Sequence, residues 1–86
     1  MSEPLSGTIT ANDATVGPFR VSGKNEADVA IAITAGTARL ERSMGATGFI
    51  SIGSYTESQS LVIEQGEYQV VGTGTPNIAV DFVPRG

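Results

Sequence analysis

The chain has 86 residues, nine acidic against five basic, a formal charge of −4, and no cysteine, histidine or tryptophan. One domain of this length buries roughly 60–70% of the surface its unfolded form exposes, so a single modest core is feasible. The composition excludes disulfides, thiolate or imidazole metal sites and His-dependent nucleophilic catalysis, and its acidity argues against nucleic-acid binding.

The elements read as short strands. Residues 1–4 form an arm, and from Leu5 to Thr10 the residues Leu5, Gly7 and Ile9 alternate with Ser6, Thr8 and Thr10 in an edge strand. Asn12-Asp13 signals a turn. Ala14 to Val21 is a second strand, placed at an edge or bulged by Gly17-Pro18, because proline cannot donate to a ladder. Its Phe19 and Val21 share one face. A polar turn, 22–26, follows.

Asp28 to Ser43 carries the strongest signal. Val29, Ile31 and Ile33 alternate with Ala30, Ala32 and Thr34, then Ala38 and Leu40 alternate with Thr37, Arg39 and Glu41. Gly36 stands between the two runs, which predicts a hairpin with a tight turn there. Met44 to Gly48 reads as a loop and Phe49 to Ile52 as a short strand broken by Gly53-Ser54. Leu61-Val62-Ile63 reads as a short central strand. Glu67 to Thr73 and Ile78 to Val83 are two further strands separated by a turn at Gly74-Thr75-Pro76-Asn77. Residues 84–86 are a tail.

Seven to eight short strands with regular turn signals predict an all-β fold, a small antiparallel β-sandwich or barrel of jelly-roll or Ig-like type over residues 5–83. No apolar run approaches the length of a membrane span, and the opening Met1-Ser2-Glu3-Pro4 lacks the features of a signal peptide. A product made in the cytoplasm, with no membrane or nucleic-acid partner, is the expectation.

Few residues offer chemistry. Asn12-Asp13 and Asn25-Glu26-Asp28 are local oxygen clusters that read as turns rather than calcium ligands. Glu41 with Glu64 is the formal acid pair for sugar hydrolysis, with no sign of a working separation. Gly72-Thr73-Gly74 lacks the lysine and helix of a phosphate loop. Arg39, Glu41 and Arg42 read as a solvated sheet face with cross-strand charge pairs, or alternatively as an interface patch. Phe49, Tyr55 and Tyr68 are core-edge aromatics or a sugar-stacking platform; Phe19 and Phe82 are core. No enzymatic activity and no cofactor are expected.

Ala38-Arg39-Leu40-Glu41-Arg42-Ser43, a glycine-containing loop, Phe49 and then Tyr55-Thr56 form a series. Leu5-Ser6-Gly7-Thr8 opens it and Gly66-Glu67-Tyr68 closes it. In order and spacing it resembles a group of small β-sandwich virion proteins of tailed bacteriophages. Where those proteins carry Trp and an Asp-Gly-Gly loop, this chain has Phe49 and Met44-Gly45-Ala46-Thr47-Gly48. The resemblance implies a structural role on the outer capsid surface. It would be a decoration or cement protein, a homotrimer, bridging copies of the major capsid protein by surface burial. A neck, tail or fibre accessory protein and a carbohydrate-binding module are the alternatives. The expected contacts are the arm (Ser2, Glu3, Pro4 and Leu5) and the loop (Met44, Gly45, Ala46, Thr47 and Phe49). An extended arm adds a strand to a neighbour, and an exposed flexible Met suits an interface.

Overall fold

A computed structural model describes residues 4–22 and 26–85. Six strands follow one another: β1 (Leu5–Ile9), β2 (Thr15–Val21), β3 (Ala27–Ser43), β4 (Phe49–Tyr55), β5 (Gln59–Ile63) and β6 (Gly66–Pro84), with a short 3₁₀ turn at Gly45–Thr47. Every pairing is antiparallel. The all-β expectation holds. The strand count differs because β3 and β6, of 17 and 19 residues, each run through two of the predicted strands.

These two strands pair along almost their whole length, and their pairing breaks register between Ile33 and Thr37. On one side of the break, Ala27 to Ile33 of β3 pairs with Ile78 to Pro84 of β6, flanked by β5 and β1. On the other, Thr37 to Arg42 pairs with Tyr68 to Thr73, flanked by β4 and β2. The result is two four-stranded layers, β5-β3-β6-β1 and β4-β3-β6-β2, which share both long strands. This pairing order, with each long strand split in two, is that of an eight-stranded jelly roll. Phe19 of one layer stacks on Phe82 of the other, ring centroids 4.9 Å apart, so the layers face each other across the core. Two sheets about 10 Å apart fit the 16 Å shortest extent of the molecule.

The alternation read from sequence sets the core. Ile9, Val29, Ile31, Ile63, Ile78, Val80 and Phe82 point inward from the first layer, and Val16, Phe19, Val21, Leu40, Tyr68 and Val70 from the second. A cis Gly17-Pro18 peptide lies where β2 bulges between Val16 and Phe19, on a strand that pairs only with β6. The edge strand β1 also pairs only with β6.

Three expectations are corrected. Gly36 makes no hairpin turn: both halves of β3 pair with β6 rather than with each other, and Gly36 is the point where β3 bends between layers. The turn expected at Gly74-Thr75-Pro76-Asn77 does not separate two strands, because β6 runs on through it. Ala35 pairs with Asn77 and Thr37 with Thr73, so β6 spends three residues at the bend where β3 spends one. The Leu61–Ile63 run is not central, since β5 pairs only with β3 and leaves Val62 half exposed. β4 also runs on through Gly53 to Tyr55, bulging at Ile52, and Pro84 still pairs, with Ala27.

Gly36 has φ +82°, and a Cβ there would lie 2.7 Å from Pro76 Cα and 2.7 Å from the Thr73 carbonyl oxygen. Gly45 has φ +64° with nothing within 4 Å of such a Cβ. Gly36→Ala is therefore expected to cost roughly 2–4 kcal/mol, from backbone strain and overpacking together. Gly45→Ala meets the strain alone and is expected to cost about 1 kcal/mol. Urea unfolding midpoints measure both; equal losses would show that the bend tolerates a side chain.

Candidate functional site

The bend puts all the strand crossings at one end of the sandwich. The 10–14 and 56–58 connections lie at that end too. The opposite end, here the loop end, collects the start of β1, the end of β2, both ends of β6, the 44–48 turn and the 64–65 connection. The strand order thus brings the two predicted contact segments to the same end, on different layers and at opposite lateral edges.

Of the arm, Ser2 and Glu3 lie outside the described residues. Pro4 is exposed. Leu5 belongs to the domain: it pairs with Phe82 and packs partly buried against the core. Met44 is 49% exposed at the head of the turn, where its N–H donates to the Gly48 carbonyl at 2.8 Å. Gly45, Ala46 and Thr47 are exposed, and nothing described covers Met44 over the core. Phe49 is half buried and pairs with Ser43, on the outer face of its layer.

The other candidates scatter. Tyr68 is 3% exposed, Tyr55 packs against the core, and Phe49 faces outward, so the three aromatics share no platform. Gly72 is buried, and a Cβ on it would strike Ile9, which leaves no phosphate cradle. Asn12 accepts a hydrogen bond from the Gly74 N–H at 3.1 Å and so serves the bend, with its amide 3.3 Å from Asp13. Asp28 takes the Arg85 guanidinium at 3.1 Å. Among the described residues no group of three or more acidic side chains could hold a metal ion. No described helix is long and apolar enough to cross a membrane.

The Arg39–Glu41–Arg42 run is engaged internally and is not a freely solvated face. Glu41 points outward from its layer yet is only 9% exposed. It accepts hydrogen bonds from Arg39 Nε at 2.8 Å and Gln69 Nε2 at 2.7 Å. Arg42, on the other face, donates to the Gln65 carbonyl at 2.7 Å and lies 5.7 Å from the centre of the Tyr68 ring. The hydrogen bond ties the 64–65 connection to β3, and the cation–π contact holds the guanidinium against β6. No acid partner for Glu41 emerges: its carboxylate is committed to Arg39 and Gln69, and Glu64 is exposed beyond the end of β5.

Sequence reasoning missed the lateral flank between β4 and β5. These strands edge different layers and do not pair with each other. Between them opens a groove of about 260 Å³, lined by Leu40, Ile52, Tyr55, Leu61, Val62, Ile63 and Tyr68, with the exposed carboxylate residue Glu64 at its border. Ile52 and Val62 are each 50% exposed and Ile50 40%. The available signal was the absence of any charge in Phe49–Tyr55 and Gln59–Ile63. No family model, curated protein or solved structure matches the chain.

Burial pushes the Glu41 carboxyl up, but the hydrogen bonds from Gln69 and Arg39 and the Arg39 charge outweigh it and hold it below its ordinary 4.5. A depressed folded-state pKa stabilises the fold above the ordinary value, and that contribution is lost as pH falls through the lower folded value. Acidification below 4.5 is therefore expected to lower the urea midpoint of the native chain more steeply than that of Glu41→Gln. Superimposable acid limbs would show that Glu41 contributes nothing to this dependence. At neutral pH, Glu41→Ala is expected to cost roughly 1–3 kcal/mol, as Gln69 loses its acceptor.

Proposed function

We propose that the chain is a structural virion protein of a tailed bacteriophage. In this reading it decorates or cements the outer capsid surface, its loop end set against the major capsid protein. The observation that carries the reading is the presence of two features at that one end. Pro4 precedes β1, an edge strand that pairs only with β6, and the exposed Met44 turn stands at the same end, on the other layer and the opposite lateral edge. An extended arm continuing an edge strand can be added to a neighbour's sheet, gaining backbone hydrogen bonds and apolar burial on assembly. The resemblance of the opening Leu5-Ser6-Gly7-Thr8 and of the Ala38–Ser43 strand to small phage virion proteins supports the same reading.

The mechanism is mechanical rather than catalytic. Subunits bridge neighbouring capsid proteins, in threes where the shell has a three-fold axis, and resist their separation by the area they bury. A neck, tail or fibre position uses the same contacts at lower copy number.

Quantitative mass spectrometry of purified particles tests the assignment. A decoration protein is expected within a few-fold of the copy number of the major capsid protein. A handful of copies per particle moves it to the neck, tail or fibres, and absence from particles overturns the virion reading. The arm is tested by truncation. Removing residues 2–4 leaves Leu5 on Phe82, so the thermal midpoint is expected to stay within a degree or two while occupancy on particles falls. Unchanged occupancy would rule out a role for the arm.

A further inference from the structure

A second cleft, at the loop end, carries an inference that does not depend on the virion reading. It opens between the end of β2, the end of β3 and the start of β6, with a volume of about 280 Å³. Its polar lining is Arg20, Ser22, Ser43, Gln65 and Glu67, beside Gly66 and Val21. Val21 is 4% exposed and belongs to the core, so the cleft has no apolar wall of its own. Strand pairing sets its frame. Arg20 faces Glu67 and Val21 faces Gly66 across β2 and β6. Arg42 of β3 donates to the Gln65 carbonyl at 2.7 Å and so fixes the backbone that presents Gln65. Phe49 pairs with Ser43 on the outer face of the layer, which puts an aromatic residue one strand spacing, about 4.8 Å, beyond Ser43.

We propose that this cleft binds a neutral saccharide, with one sugar ring between Arg20 and Glu67 and the next across Ser43 against Phe49. The chemistry of the lining selects that class. It holds one charge of each sign, with Arg20 Nη2 and Glu67 Oε2 4.0 Å apart. An anion drawn to the guanidinium meets the carboxylate, and a cation drawn to the carboxylate meets the guanidinium, so a net charge on the ligand gains nothing. The other polar side chains are two hydroxyls, Ser22 and Ser43, and the Gln65 amide, all of which both donate and accept. Sugar hydroxyls do the same. Those of one ring can donate to the carboxylate and accept from the guanidinium, the stronger kind of hydrogen bond. An apolar ligand finds no apolar wall inside the cleft. The volume lies just below the roughly 300–1,000 Å³ of clefts that enclose drug-sized molecules, a scale that suits a single ring. The outward ring of Phe49 then offers the next sugar an apolar face to lie on.

Chemical-shift mapping of the isotope-labelled chain by NMR is the test. Maltose, cellobiose and lactose are the neutral probes, with glucosamine and glucuronate as charged ones. At tens of millimolar, at least one neutral disaccharide is expected to shift the amides of Ser22, Ser43, Gln65 and Glu67 saturably, and to bind more tightly than either charged sugar. Glu67→Ala is expected to weaken that binding roughly tenfold, as a charge-assisted hydrogen bond is lost. Phe49→Ala is expected to weaken it roughly fivefold, as the apolar face is lost. Glu67→Gln keeps the shape of the side chain and guards against a folding defect; it is expected to bind more weakly than the native chain with an unchanged circular dichroism spectrum. Glu57→Ala removes the same charge at the corner end and is expected to leave the affinity unchanged. No saturable shift with any neutral disaccharide overturns the proposal. So do shifts that map away from the cleft, a preference for a charged sugar, and native affinity in Glu67→Ala or Phe49→Ala.

Discussion

The bend shared by β3 and β6 is the constraint on which the rest of the molecule depends. A strand that passes from one layer to the other must turn its side chains through the corner without leaving its backbone groups unpaired. The chain meets this with unequal path lengths. β3 crosses on Gly36 alone, pressed beneath Pro76 and the Thr73 carbonyl, while β6 goes round the outside through Gly74, Thr75 and Pro76. The freed donors and acceptors are then taken up locally. Asn12 accepts from the Gly74 N–H, Gly72 exchanges bonds with Asp13 and Ala14, and Ser58 Oγ accepts from the Ile33 N–H. Both connections at that end, 10–14 and 56–58, are thereby pinned to the corner.

The corner end is held by side-chain bonds between segments as far apart as 62 residues in sequence. At the loop end the ties among the described residues are Arg42 to Gln65, Arg85 to Glu26 and Asp28, and the closure of the 44–48 turn. The arginines that a sequence reader would enlist for recognition are largely committed within the fold. Arg39 holds Glu41, Arg42 lies on Tyr68, and Arg85 spans Glu26 and Asp28. What remains for contact is chiefly uncharged: Met44, and the isoleucines and valine of the β4–β5 flank.

The period-two alternation made the strand faces legible almost throughout. Tyr68 and Val70, Ile78, Val80 and Phe82, and Phe19 and Val21 all face the core as their spacing implied. The topology was not legible, for a definite reason. A glycine between two alternating runs is equally compatible with a hairpin and with a strand that bends between layers. What distinguishes them is the partner, and for β3 the partner is β6, whose pairing residues lie 26 to 57 positions further along. The apolar run Leu61–Ile63 misled similarly, since three consecutive apolar residues resemble a strand buried on both faces, yet Val62 opens to solvent. The Glu41 network could not be read either, because Gln69, which completes it, is identifiable only once β3 and β6 are in register.

The four free strand edges then have distinct fates, each set by composition. β2 is closed to pairing by Pro18 and its bulge and carries Arg20, which faces Glu67 at 4.0 Å. β1 is uncharged and exposes no large apolar side chain. β4 and β5 alone are both uncharged and flanked by exposed apolar side chains. A chain with net negative charge on its remaining surface is discouraged from random aggregation but not from approach along that one flank. The loop end lies roughly perpendicular to that flank, along the strand axes.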